Sequence, residues 1–192
     1  MLNESTMQDL HKKVDGVLRF INFNKHFKNI RPELSGVYIK NGLMVATDSY
    51  MLIEFNCKSI HVADHLEVIL DGSELKALIK GRKFEKLTVL DHIEDNKVEI
   101  SFDDNKKVFT LSILDGDRYP EYKILFNNLK SKDSAYKSGV YDSTLMGNIV
   151  KFFHKDLFEM RQYDCNLYFE NVANHPSRNQ YYARCLLMGV RW

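Results

Sequence analysis

The chain has 192 residues, of which 44% are hydrophobic and 28% charged, and its net charge is +1. This is enough chain for one large domain or two small ones with a real core, and the composition is that of an ordinary soluble globular protein. No apolar run approaches the roughly 20 residues that cross a bilayer, and Met1-Leu2-Asn3-Glu4-Ser5 lacks the regions of a signal peptide, so the expected compartment is cytoplasmic.

Cys57, Cys165 and Cys185 are odd in number and widely spaced, which fits reduced thiols rather than a disulfide framework or a metal site. His61 and His65 are four apart, a spacing that fits one helical face. They lack the glutamate of a metalloprotease motif, so no metal is expected.

In chain order, residues 5–22 read as a helix, with Met7, Leu10, Val14, Val17, Leu18 and Ile21 on one face and Ser5 or Thr6 as its cap. Lys12 and Arg19 fall on the opposite face. Gly16 lies between them and costs roughly 1 kcal/mol against alanine; it either permits close approach to that face or is a tolerated weakness, and we favour the second. Strands follow at Gly36–Lys40 and Leu43–Asn56, joined by Asn41-Gly42, a pair that accepts positive φ in a tight hairpin. Residues 57–65 carry no clear pattern.

The middle of the chain forms a unit. Leu66–Leu70 reads as a strand, Asp71 as a helix cap with Glu74 three residues on, and Leu75, Leu78 and Ile79 as the apolar face of a short helix. Lys76 and Lys80 share another face. Strands at Lys86–His92, Lys97–Asp103 and Lys107–Leu114 complete it, with turns at Asp95-Asn96 and at 103–105. The grammar returns at the end of the chain. A short strand at Gly139–Tyr141 precedes a helix capped near Asp142 and running to about Lys155, which carries Lys151 and Lys155. Strands at Leu157–Tyr163, Asn166–Glu170 and Tyr181–Val190 follow. The polar stretch 127–138 reads as a linker.

The expectation is therefore an α+β protein of repeated strand–helix–strands units, with helices on one face of antiparallel sheets. Residues 1–126 hold two units, and residues 139–192 hold a third.

Three strings carry a resemblance: Val45-Ala46-Thr47-Asp48-Ser49-Tyr50-Met51-Leu52, Leu114-Asp115-Gly116-Asp117-Arg118-Tyr119-Pro120-Glu121-Tyr122, and Leu187-Met188-Gly189-Val190-Arg191-Trp192. In this order they resemble the ATDGHRLA, DGRFPDY and MPMRL strings of the DNA polymerase III β-type sliding clamp. Ser49 replaces a glycine, Tyr50-Met51 replace His-Arg, and Gly189 replaces a proline. Residues 1–126 resemble that clamp's middle domain, and 139–192 the second half of its last domain. A shortened form of this kind suggests a phage, plasmid or other mobile-element version.

The resemblance implies a ring whose helices line the hole and whose sheets form the outer wall. It also implies an apolar cleft that takes short peptides of DNA polymerase and the clamp loader. Carried over, the cleft residues are Thr47, Ser49, Tyr50 and Leu52 from the first string, Pro120 and Leu125 in and just after the second, and Met188, Val190 and Arg191 from the third. The DNA-facing set is Lys12, Arg19, Lys76, Lys80, Lys151 and Lys155, placed opposite the apolar stripes of three helices to meet phosphates without reading bases. Duplex DNA and a homo-oligomer are the expected partners.

No catalytic residue, cofactor or metal is expected: the chain lacks a phosphate loop, a GxSxG elbow and a spaced carboxylate cluster. The function expected is that of a processivity factor. The alternative is a monomeric clamp-like adaptor or decoy that keeps the peptide cleft without encircling DNA.

Overall fold

A computed structural model describes residues 10–63, 66–94, 96–103, 107–114, 119–130, 141–153, 158–163, 166–171 and 181–188. Several expectations lie outside these residues: the helix start at 5–9, His65, Cys165, the strand residues 139–140, Lys155, Val190 and Arg191.

The first helix, α1, spans Leu10–Val17 and tightens into a 3-10 turn at Leu18–Phe20. A short helix α2 (Lys25–Ile30) leads to the hairpin of β1 (Gly36–Lys40) and β2 (Leu43–Thr47). The hairpin turn is the expected one, with Asn41 at φ 40° and Gly42 at φ 78°. The long second strand of the sequence reading is divided. A turn at Asp48–Tyr50 separates β2 from β3 (Met51–Cys57), because the Asp48 carboxylate takes the amides of Tyr50 and Met51 at 2.8 and 2.7 Å. The stretch without a pattern contains β4 (Ile60–Val62), so His61 lies on a strand and not on a helix.

The second unit runs β5 (Glu67–Asp71), α3 (Gly72–Ile79), β6 (Leu87–Glu94), β7 (Lys97–Phe102) and β8 (Val108–Ser112). Asp71 caps α3 as expected, accepting from the amides of Ser73 and Glu74 at 2.8 and 3.1 Å. Glu74 does not complete the reciprocal box in these contacts. Its carboxylate takes the amide and hydroxyl of Ser112 at 2.7 and 2.9 Å, tying α3 to β8. A helix α4 (Tyr122–Lys130) then extends into the stretch read as a linker, because Tyr122, Phe126 and Leu129 repeat at helical spacing and find a surface to bury on. The third unit holds α5 (Ser143–Phe152), β9 (Phe158–Tyr163), β10 (Asn166–Asn171) and β11 (Tyr181–Met188).

Seven strands form one sheet in the order β5-β1-β2-β3-β11-β10-β9, and four form a second in the order β4-β6-β7-β8. Among the described residues an isolated bridge from Leu70 to Ile113, the residue after β8, links the β5 edge to the β8 edge, so the two sheets meet edge to edge. Strand alternation sorts the larger sheet into two apolar faces. Met44, Ala46, Met51, Ile53, Phe55, Leu167, Phe169, Cys185 and Leu187 point into the main core, with Leu10, Val14, Leu75, Ile79, Ile149 and Phe152 of α1, α3 and α5. Their neighbours Val45, Leu52, Tyr168 and Leu186 point the other way and pack beneath α4.

Gly16 is a point of close approach and not merely a tolerated weakness. A Cβ there would lie 2.8 Å from the Phe152 ring of α5. Phe152 is boxed by Phe20, Phe55 and Phe153, with ring centroids 5.2 to 6.3 Å away, and so has little room to yield. Gly16→Val is expected to lose about 1–3 kcal/mol of stability in urea unfolding, since the clash outweighs the small helical gain. An unchanged midpoint would show that α5 can slide away at no cost.

Candidate functional site

Described parts of the three strings, Val45–Leu52, Tyr119–Tyr122 and Leu187–Met188, come together at the seven-stranded sheet. In the first, the Thr47 hydroxyl donates to the Met51 carbonyl at 2.7 Å and accepts from the Ser49 amide at 3.2 Å. Ser49 sits at φ 80°, a conformation that favours glycine, which is the residue the resembling family carries there. Leu52 faces Leu186 across the β3–β11 ladder, and the Met188 amide donates to the Tyr50 carbonyl at 2.9 Å, so the third string lies against the first. The second string joins them through Tyr119, whose hydroxyl donates to the Val45 carbonyl at 3.1 Å and whose ring stacks on Tyr38 at 5.2 Å.

Exposure divides the expected cleft residues. Tyr50 is 60% and Leu125 41% exposed, Ser49 is exposed, and Pro120 and Met188 are half-buried. Leu52 is only 1% exposed, because it packs in the cluster beneath α4, and Thr47 is 6% exposed. Val190 and Arg191 lie outside the described residues. A groove of about 640 Å³ opens beside the start of α4, lined by Tyr38, Ile69, Ile113, Tyr119, Pro120 and Tyr122, with Glu67 and Lys123 at its rim. It includes Pro120 but not Leu52.

Sequence reasoning missed the pieces that complete this face: Val45, Tyr122, Phe126, Leu129, Tyr168 and Leu186. Two signals were available. Strands β2, β3, β10 and β11 are apolar at consecutive positions, as a sheet covered on both faces must be, and the α4 segment repeats aromatic and aliphatic residues at i, i+4 and i+7. The pair Glu54–Arg184 had no local signal. These residues are 130 apart and make two hydrogen bonds of 2.9 and 3.0 Å, and the guanidinium lies 4.0 Å over the Phe126 ring.

On the opposite face, α1 packs against α3 and α5 in one layer. Lys12, Lys76, Lys80 and Lys151 are exposed on these helices, and Arg19 is half-exposed, pairing with Asp15 at 3.1 Å. Lys76 lies 4.2 Å over the Phe23 ring. Lys13 turns inward, and its ammonium donates to the Phe152 carbonyl at 2.9 Å, at the end of α5. Lys155 lies outside the described residues. Among the described residues no cluster of histidine, cysteine and carboxylate side chains is suited to a metal, and no helix is long and apolar enough to cross a membrane. Cys57 and Cys185 are buried free thiols, and burial pushes the Cys185 thiol up, away from reactivity.

No family model and no curated protein matches this chain. Among solved structures it is similar to the DNA polymerase III β subunit of Thermotoga maritima, with a TM-score of 0.66 at 14% identity over 97% of this chain and 64% of that one. The chain has the fold of a DNA polymerase III β sliding clamp. The β subunit of Streptococcus pyogenes gives a TM-score of 0.62 at 14% identity, covering 97% and 64% of the two chains. The H. pylori β clamp, solved in complex with diflunisal, gives 0.63 at 12% identity over 95% and 64%. This chain thus spans about 64% of the length of each of these three clamps.

The face of the seven-stranded sheet beneath α4 is rich in phenols that burial keeps neutral. Burial, then the charge of Glu54, pushes Tyr122 up to about 12, against the opposing pull of Arg184. Burial, then a hydrogen bond to Glu170, does the same for Tyr182, also to about 12. Burial likewise raises Tyr38, Tyr119 and Tyr168. Phenols whose folded values lie above the unfolded value of about 10 stabilise the fold fully below pH 10 and lose that contribution as pH rises through 12. Tyrosinate absorbance is expected to remain incomplete through pH 10 and to finish together with loss of the fold near pH 12. Complete ionisation near pH 10 with the fold intact would mean that this face is open to water.

Proposed function

We propose that this protein is a clamp-type processivity factor, which stays on duplex DNA without reading sequence and tethers replication proteins through an apolar cleft. The observation that carries the proposal is the β-clamp fold with its three main helices gathered in one layer. Four lysines, Lys12, Lys76, Lys80 and Lys151, stand exposed on those helices. Gathered there, they can form a local positive surface although the whole chain is nearly neutral. Contacts of this kind hold the phosphate backbone and carry no base code. The reading assigns no bond-making step to the protein.

A ring requires self-association, since this chain spans about 64% of a β clamp. Among the described residues the outer edges of the two joined sheets are β4 and β9, and β9 carries Met160 at 59% exposure. Edge strands offer unpaired backbone groups to a second copy, and a ring forms when two such edges are complementary. Light scattering over a range of concentrations is expected to give one discrete oligomer, and that oligomer is expected to be retained on circular DNA. A strict monomer would favour the adaptor reading. Lys76→Glu with Lys80→Glu should weaken DNA retention and flatten its salt dependence by roughly 1 per residue removed. An unchanged salt slope would take these helices off the DNA.

The cleft reading rests on Leu52, Pro120 and Met188 from the three converging strings, with Tyr50 and Leu125 at the surface. Leu52 is fully enclosed and Met188 half-buried, so Met188 is the side chain to change. Met188→Asp should abolish binding of a short synthetic peptide with Leu and Phe anchors in fluorescence anisotropy and leave the circular dichroism spectrum unchanged. Methionine suits such a site because its side chain repacks around different partners. Undiminished binding would move the cleft elsewhere.

A further inference from the structure

In the helix layer α1 runs opposite to α3 and α5. The His11 amide donates to the Phe84 carbonyl at 3.3 Å, just past the end of α3, and the Lys13 ammonium donates to the Phe152 carbonyl at the end of α5. At the far end of the layer, Ile21 lies against Gly72 at the start of α3. One end of the layer therefore gathers the start of α1 with the ends of α3 and α5. Lys12, Lys80, Arg82, Lys83 and Lys151 all stand exposed there. The starts of α3 and α5 carry acidic caps instead, Asp71 and Asp142. Cations at the ends of α3 and α5 suit the helix dipole, as do acids at their starts. Lys12 does not, since it sits in the first turn of α1, which holds no acidic residue. Position in space, and not the dipole alone, is what these cations share.

The same end is extended by the β8 side of the molecule. Gly81, at φ 74°, turns the chain out of α3, and the Arg82 Nε then donates to the Leu78 carbonyl at 2.7 Å. The Arg82 guanidinium lies 4.5 Å over the Phe109 ring of β8, and the ammonium of Lys107, also exposed, lies 5.2 Å over that ring. Phe109 is anchored in turn through Phe102 to the buried Phe84. Two cations fixed beside one ring repel each other, and an anion seated next to them relieves that repulsion. Acidic residues nearby include Glu85 and Asp103, and the Asp103 carboxylate already accepts the amides of Glu85 and Lys86 at 2.7 and 2.9 Å. We propose that this end of the helix layer is a second phosphate-binding surface, in which Arg82, Lys83 and Lys107 hold the backbone of duplex DNA where it runs past the layer. The proposal rests on the DNA reading above, and adds three residues that lie off the helices.

The test uses the full chain, with a fluorescein-labelled duplex of roughly 30 base pairs and arbitrary sequence as the probe. In fluorescence anisotropy, Arg82→Gln with Lys107→Gln is expected to weaken binding about tenfold at low salt and to flatten the salt slope by roughly 2. Lys58→Gln with Lys97→Gln removes the same charge from the turn after β3 and from β7, and is expected to leave the slope unchanged. Equal effects of the two pairs would mean that net charge alone matters, and would overturn the proposal. A second measurement needs no variant. On the wild type, saturating duplex should slow acetylation of Lys83 and Lys107, read by mass spectrometry, while Lys58 and Lys97 react as before. Protection of Lys76 without Lys83 and Lys107 keeps DNA on the helices and removes this surface. Protection of Lys83 and Lys107 without Lys76 supports this surface and takes the middle of the layer off the DNA. Protection of none of the three brings down the DNA reading and this proposal with it. Polyglutamate protecting Lys83 and Lys107 as well as the duplex does would assign the surface to acidic protein segments, against the proposal.

Discussion

The pairing of β3 with β11 is the contact on which the rest of the molecule depends. It aligns Met51–Cys57 with residues 181–187 in antiparallel register and joins the last unit of the chain to the first. Without it the β5-β1-β2-β3 and β11-β10-β9 halves would each end in an open edge. Closing so long a loop is entropically costly and slow, though the cost grows only with the logarithm of its length. What offsets it is the burial of both faces of the joined strands. Met51, Ile53, Phe55, Cys185 and Leu187 are sealed on one side, and Leu52 and Leu186 on the other.

Glu54 and Arg184 sit opposite each other in that ladder, with side chains only 10% and 14% exposed. A buried ion pair contributes little net stability, because desolvating both charges consumes most of the attraction. Its stronger effect here is on register. A slip by one residue would send each charged side chain to the opposite face, into the main core, and leave it without its partner. The same guanidinium lies over Phe126, so the residue that fixes the strand register also positions the helix covering the outer face.

Two faces of one sheet therefore carry two kinds of surface. One is covered by three helices that present lysines outward and are drawn close by Gly16. Not every basic residue on them serves that surface: Lys13 is held against the end of α5, and Arg19 pairs with Asp15. The other face is aromatic and apolar, with neutral phenols and, among the described residues, one short helix over it. This division separates the exposed lysines of the helices from the apolar face within one nearly neutral chain.

Much of this was legible in the sequence, and the remainder was hidden for identifiable reasons. The Asn41-Gly42 hairpin, the Asp71 and Asp142 caps and most strands follow from side-chain alternation and from short-range hydrogen bonding, which need only neighbouring residues. The described parts of the three strings lie on or beside one face of the larger sheet, which no single string indicated. The helical state of Tyr122–Lys130 depended on a sheet face assembled from strands on both sides of it, since a nine-residue helix has little stability without a surface to bury on. The closed state of Leu52 followed from that helix. The role of Gly16 depended on Phe152, a residue far along the chain, arriving at van der Waals distance. The sequence by itself determined the elements, their caps and the apolar periodicity of the strands. Tertiary structure alone decided which apolar residues became core, which lay beneath α4 and which faced water, because burial is settled by distant segments meeting across the β3–β11 ladder.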